Sequence, residues 1–326
     1  MSSHTNGFNE FIAKDGFIKV FETVFFIFWL ITVPFYFFLL YFLMLAQRKR
    51  VNDLATPFFR LCISSGVIDL TNLLNNYLFA VLPKWGWFRG FYLALGQFFP
   101  YFYLYIAWSL GICQAMSVSV LATNRLSAMM FPETYHKSWT GKKLLIAYFI
   151  QFSIGMAISL SVFASDVYVE HSESGGLIPK FVEKSRTNLF FGIGGFFLGF
   201  NSLYLVIAYC YLFYILRRRH NIQIEKKSVN IEKVQLIARR RETRLFFMST
   251  CIVSVQLVII LFFVSKLFPY LTLTTEQFYM FYNALSDIYS GVNPYLLVIF
   301  SDALRKYILT SLKVYKKIRM ATTIIV

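Results

Sequence analysis

The sequence predicts an all-α membrane protein, a seven-helix transmembrane bundle with its N-terminus outside, and three observations predict it. First, seven stretches of roughly twenty residues each hold at most one Asp, Glu, Lys or Arg. Twenty helical residues rise about 30 Å, the thickness of a bilayer's hydrocarbon core. Second, 57% of the residues are hydrophobic, 20% aromatic and 15% charged, whereas a soluble domain carries about a quarter charged residues. Third, the basic residues gather in every second connection. Segments 47–60, 125–143, 217–244 and 301–326 hold 24 of the 32 Lys and Arg, and the N-terminus and the other connections hold 8. Basic flanks stay cytoplasmic, so the first set faces the cytosol.

The expected elements follow in order. Residues 1–22 are an extracellular N-terminus without the charged start, short apolar core and cleavage site of a signal peptide, so the span at 23–46 serves as an uncleaved insertion signal. The second span is 61–82, and Trp85, Trp87 and Tyr92 beyond it suit the headgroup level, where amphipathic rings settle. The third span is 100–122 and the fourth 144–163, with Trp139 as an anchor at the inner start of the fourth. The longest outer connection follows, and its Ser-Glu-Ser-Gly-Gly run at 172–176 reads as a flexible turn. The fifth span is 189–216. Ile231, Val234, Ile237 and Ala238 then recur at helical spacing, so the sixth helix extends into the cytosol ahead of its span at 245–264. The seventh span is 278–300. Ser301 caps a short amphipathic helix bearing Leu304, Ile308 and Leu312, within a basic cytoplasmic tail at 301–326 that meets membrane lipid. Helices and short loops consume the 326 residues, leaving no separate soluble domain.

The net charge of +16 is explained by this orientation signal and does not call for nucleic acid. No Asn-x-Ser/Thr sequon occurs, so N-glycosylation is not expected. Cys62, Cys113, Cys210 and Cys251 all fall within spans, which gives no support for an extracellular disulfide and suits small apolar residues at helix contacts. The four histidines lie outside the spans, so no intramembrane His-based metal or base site is expected. The chain reads as neither an enzyme nor a cofactor protein.

Ionisable and polar groups at membrane depth are costly and therefore stand out. Asp69 lies near mid-membrane, with Asn72 and Asn75 following roughly along one side of the helix. Two readings stay open: a hydrated or ion-binding cluster that rearranges during switching, or a hydrogen-bonded carboxyl that joins helices. Asp287 either meets a cationic ligand or pairs with polar groups in the bundle. Asn201, Gln256 and Asn283 fit interhelical contacts. Tyr101, Tyr105 and Trp108 recur on the outer half of the third span, with Tyr282 opposite, and aromatic walls with few polar groups suit a small organic ligand.

Two local motifs carry more. The third span ends in Asn124-Arg125-Leu126-Ser127-Ala128-Met129-Met130-Phe131-Pro132, and Asn293-Pro294-Tyr295 lies near the inner end of the seventh. With Asp69, Arg125 followed by Pro132 and Asn293-Pro294 resemble the rhodopsin-like G-protein-coupled receptors. The departures are Asn124 in place of the acidic neighbour of the Arg, Leu297 where a Tyr is customary, no Trp in the fourth span and no Pro in the fifth or sixth. Thr56-Pro57-Phe58-Phe59-Arg60, Leu82-Pro83-Lys84-Trp85-Gly86-Trp87, Ala107-Trp108, Leu121 through Ala128 with Phe131-Pro132, and Ser286 through Tyr295 are similar to nematode serpentine chemoreceptors. Class V is the best match and class gamma the second.

That resemblance implies a chemosensory receptor in the plasma membrane, in a sensory-neuron cilium, that takes a small-molecule or pheromone-like ligand outside and engages a heterotrimeric G protein inside. Arg125 then meets the G protein after the sixth helix moves outward. Because position 124 lacks an acid, Glu242 is a candidate to hold Arg125 at rest, against the competition of Arg239, Arg241 and Arg244 beside it. The rival classes are a polytopic transporter and a ligand-gated channel. A transporter predicts internal repeats, of which none is evident, and seven-helix insect channels place the N-terminus inside.

Overall fold

The computed structural model describes residues 15–171, 175–225, 232–265 and 275–312. Within them the chain is overwhelmingly helical. We label the long helices α1 (Asp15–Arg48), α2 (Pro57–Asn76), α3 (Phe98–Met130), α4 (Lys142–Ser159), α5 (Lys184–Glu225), α6 (Glu232–Ser265) and α7 (Thr275–Phe300), and the tail helix α8 (Asp302–Ser311). Segments 16–48, 98–130, 142–164 and 184–218 are long and apolar enough to cross a membrane by length and composition alone. The second and seventh helices instead carry the Asp, Asn and Ser side chains that the bundle buries.

Local chemistry sets the helix limits. Thr56 is extended, and Pro57 begins α2 where its missing N–H and fixed φ cost nothing. After Asn76 the backbone widens into a π-helical turn over Tyr77–Val81, then resumes helix through Leu82–Lys84. Such turns commonly accompany functional positions. Ser301 leaves the helical region, and its hydroxyl accepts from the Leu304 amide at 3.3 Å, capping α8 as expected. Arg305 donates to the Val298 carbonyl at 2.8 Å and also to that of Ile299, neutralising the exposed C-terminal end of α7. Leu304 is fully buried and Ile308 packs on the core, whereas Leu312 is exposed, so the expected apolar face is seated only at its first half.

α3 is the central post, packed by α2, α4 and α5. Gly155 explains how α4 comes so close, because a Cβ there would overlap the backbone oxygen of Ser109 and lie 2.6 Å from Cys113 Sγ. Without a hydrophobic drive between helices in lipid, such small-residue contacts supply close van der Waals packing. Cys62 and Cys113 are buried and Cys210 and Cys251 exposed, and all four are free thiols.

One feature goes beyond the sequence expectation. The connection after α4 is a β-hairpin, β1 (Val167–His171) antiparallel to β2 (Leu177–Phe181), with Val167 opposite Phe181. Its inward residues are held by the bundle: Leu177 packs with Tyr92 and Phe99, and Phe181 stacks on Phe190 at 5.0 Å. Trp139 is half-buried against the core, with its N–H on the Ser127 hydroxyl. Residues 172–174 of the expected turn lie outside the described residues, as do 1–14, 226–231 and 313–326 with Lys313, Lys316 and Lys317.

Candidate functional site

Three clusters of buried polar residues tie the helices together. At the centre, Asp69 Oδ2 accepts from the Tyr36 hydroxyl (2.8 Å) and from Asn293 Nδ2 (2.6 Å), while Oδ1 accepts from Gln114 Nε2 (2.8 Å). Gln114 Nε2 also reaches the Ser290 hydroxyl at 2.6 Å. Asn72 Nδ2 lies within bonding range of Gln114 Oε1, Ser286 and Ser290. The carboxyl thus joins α1, α2, α3 and α7. A charge or amide excluded from both water and lipid needs such partners, which is why they converge.

Asn293 precedes Pro294, whose ring removes a backbone donor inside α7. Its amide turns to Asp69, while Asn293 Oδ1 is buried without a hydrogen-bond partner among the described residues. Tyr295 faces away from this cluster: its hydroxyl meets Thr32 at 3.0 Å and its ring stacks on Phe35 at 5.0 Å. It therefore binds α7 to α1.

Asp287 lies towards the hairpin end and is claimed by α2. Asn76 Nδ2 donates to Oδ1 at 2.7 Å and the Tyr77 hydroxyl to Oδ2 at 2.9 Å. The π-helical turn starts at Tyr77, and the Tyr77 ring stacks on Trp29 at 4.8 Å. Of the two readings open from sequence, the structure favours the polar partner. Asn75 stands apart, donating to the Tyr103 carbonyl at 3.4 Å.

In the third cluster, Gln256 Nε2 donates to Asn201 Oδ1 (3.1 Å) and the Ser202 hydroxyl (2.8 Å), and Gln256 Oε1 accepts from the Tyr289 hydroxyl (2.9 Å). These bonds join α5, α6 and α7, with Gln256 and Asn201 in the contact role expected of them.

A small, half-open recess of about 60 Å³ lies between α3, α5, α6 and α7. Trp108 and Tyr282 line it, as does Gln114 from the Asp69 cluster and Tyr289 from the Gln256 cluster. Tyr101 and Tyr105 do not reach it. Tyr101 donates to the Ser165 carbonyl at 3.2 Å, Tyr105 contacts Met156 Sδ at 3.3 Å, and both rings pack on Phe163 beyond α4. The helical spacing was right, but α4 rather than open space faces that side of α3.

At the opposite, basic end, the Arg125 guanidinium lies 3.5 Å from the centroid of the Phe58 ring. A cation over a desolvated aromatic face gains up to about 2 kcal/mol. Asn124 is fully buried and accepts the Tyr135 hydroxyl at 3.1 Å. Burial pushes the Tyr135 phenol above its usual pKa, which keeps it a neutral donor. Pro132 opens the short helix Pro132–Ser138 that carries Tyr135. Glu242 belongs to α6, but its side chain lies outside the described residues. Nearby, Arg244 of α6 pairs with Asp302 of α8, which also pairs with Arg305.

Tyr36, Tyr77 and Gln114 carry no expectation from the sequence, and Phe58, Tyr289 and Ser290 enter there only as members of the quoted motifs, without a role. Gln114 had a usable signal, an amide in mid-span. The tyrosines and Phe58 had none in a chain with 20% aromatic residues. No curated protein matches the chain. A family model described as serpentine type 7TM GPCR chemoreceptor Srv matches residues 25–314, from within α1 to just past α8, so it takes in all three clusters, the cavity and Arg125. The chain therefore belongs to the Srv family of serpentine seven-transmembrane G-protein-coupled chemoreceptors, the class V expected from its motifs.

Proposed function

We propose that the protein is a nematode chemosensory receptor of the plasma membrane, stationed in a sensory-neuron cilium. Seven spans with the N-terminus outside would present the hairpin end to the exterior and the basic end to a heterotrimeric G protein. The alternating placement of Lys and Arg supports that orientation. A neutral small molecule is the ligand class the recess suits, because among the described residues no charged side chain lines it and both oxygens of Asp287 are engaged by Asn76 and Tyr77.

One observation carries the reading: Gln114 and Tyr289 line the same cavity, and each anchors a separate interhelical cluster. A ligand that draws the Gln114 amide or the Tyr289 hydroxyl towards itself weakens the Asp69 or the Gln256 cluster. Only a difference in affinity between two packings can shift the bundle, and these bonds are what such a ligand would trade. Loosening at Asp69 frees Asn293 beside Pro294, and loosening at Gln256 frees α6. Outward movement of α6 would let Arg125 leave Phe58 for the G protein.

The test is expression in a reporter cell against a panel of neutral volatile and lipid-like compounds. Wild type should respond to at least one. Arg125→Ala should abolish signalling without abolishing ligand binding, and Gln114→Leu should lower potency by about tenfold, the equivalent of one lost buried bond of about 1.4 kcal/mol. A ligand-evoked current that persists without G proteins, or concentrative uptake, would instead establish a channel or a transporter.

A further inference from the structure

A second recess lies outside the ligand cavity, and the packing of the helices creates it. α4 and α5 both pack along α3 but make little direct contact with each other. The gap is a lateral groove of about 660 Å³ whose walls include Val120, Ile146, Ile150, Ile154, Phe197 and Phe200. Phe200 is 69% and Ile146 56% exposed, so the groove opens sideways towards the surroundings of the bundle.

Its polarity is graded along its length. Apolar side chains dominate most of it, interrupted by Ser119 and by Asn201, whose amide oxygen accepts from Gln256, while hydroxyl and cationic groups sit together at the Arg125 end. There Thr123 and Tyr204 share a hydrogen bond of 2.7 Å across α3 and α5, with Ser138, Trp139 and exposed Lys143 beside them. Among the described residues, no acidic side chain lines the groove. An apolar channel with a single cationic, hydroxyl-rich end is complementary to one acyl chain topped by a phosphate. It does not match an amphipathic helix, which would need a polar stripe along the whole length.

We infer that the α3–α4–α5 groove is a binding site for an anionic phospholipid, with an acyl chain along Ile150 and Phe200 and the headgroup phosphate at Lys143. A resident lipid there would brace α4 against α5, which otherwise make little direct contact. Near a membrane surface one basic side chain favours an anionic lipid by about fivefold. Only the leaflet of that lipid rests on the orientation proposed above, and the site itself does not.

Trp139 gives the groove a reporter. The full chain is reconstituted in phosphatidylcholine vesicles in which about one lipid in ten is phosphatidylglycerol, brominated near the glycerol end of its acyl chains, the part that would lie beside Trp139, since bromine quenches indole fluorescence on contact. Subtracting the signal of Trp139→Phe isolates Trp139. Brominated phosphatidylglycerol should quench it about fivefold more effectively than brominated phosphatidylcholine at the same fraction. Lys143→Glu should erase that preference and Lys143→Arg should keep it, with unchanged thermal unfolding certifying the fold of each. Equal quenching by both lipids would overturn the site, as annular contact alone. Quenching that vanishes as protein density rises would overturn it in favour of a second copy covering the groove. A preference that survives Lys143→Glu would overturn the headgroup assignment.

Discussion

Arg125 and its neighbours show how one substitution redistributes a constraint. With Asn rather than an acid at position 124, the amide oxygen takes the Tyr135 hydroxyl and the guanidinium turns to the Phe58 ring. A cation–π contact of about 0.5–2 kcal/mol can shift a two-state balance by roughly twofold to thirtyfold. Phe58→Ala should therefore raise ligand-independent signalling within that range, while Phe58→Trp should preserve or lower it, with all variants compared at equal surface expression. Glu242→Ala tests a separate restraint. If Glu242 also holds Arg125, basal activity rises in the single variant and further in the Phe58→Ala background. Unchanged basal output in both single variants would remove both restraints from the account.

Among the elements, α3 sets the terms because α2, α4 and α5 all lean on it. The α3–α4 approach depends on the missing side chain of Gly155, whereas Gly192 of α5 has open space where a Cβ would sit. Gly155→Leu forces the helices apart, and overpacking of this kind costs about 1–3 kcal/mol. We expect that variant to lower the thermal midpoint of the purified protein and its surface fraction, and Gly192→Ala to leave both near wild type. Equal behaviour of the two would mean that the α3–α4 contact contributes little. The π-helical turn in α2 is the complementary case, since it begins at the tyrosine that, with Asn76, holds Asp287.

At the scale of the whole molecule, the charge asymmetry predicts a measurable topology. An epitope at the N-terminus should be stained on intact cells, and one at the C-terminus only after permeabilisation; the reverse pattern would place Arg125 outside and defeat G-protein coupling there. The periodicity and charge of the chain were enough to anticipate a helical bundle, the rough course of its helices, the Ser301 cap and the polar residues that resist lipid. These properties are local, because an apolar run of given length, a cap or a basic flank acts through its own few residues. Which polar groups meet is not local. Asp69 takes its partners from positions 36, 114 and 293, and the aromatic residues that hold Arg125 and Asp287 look in sequence like any other rings in an aromatic-rich chain. Rotation of each helix about its axis and the closeness of its neighbours decided them, turning Tyr101 and Tyr105 towards α4 and Trp108, Gln114 and Tyr289 into one cavity. Apolar sequence alone therefore determined that the chain forms membrane-spanning helices, whereas the sites between them arose only when packing in three dimensions brought polar groups distant in sequence within bonding reach of one another.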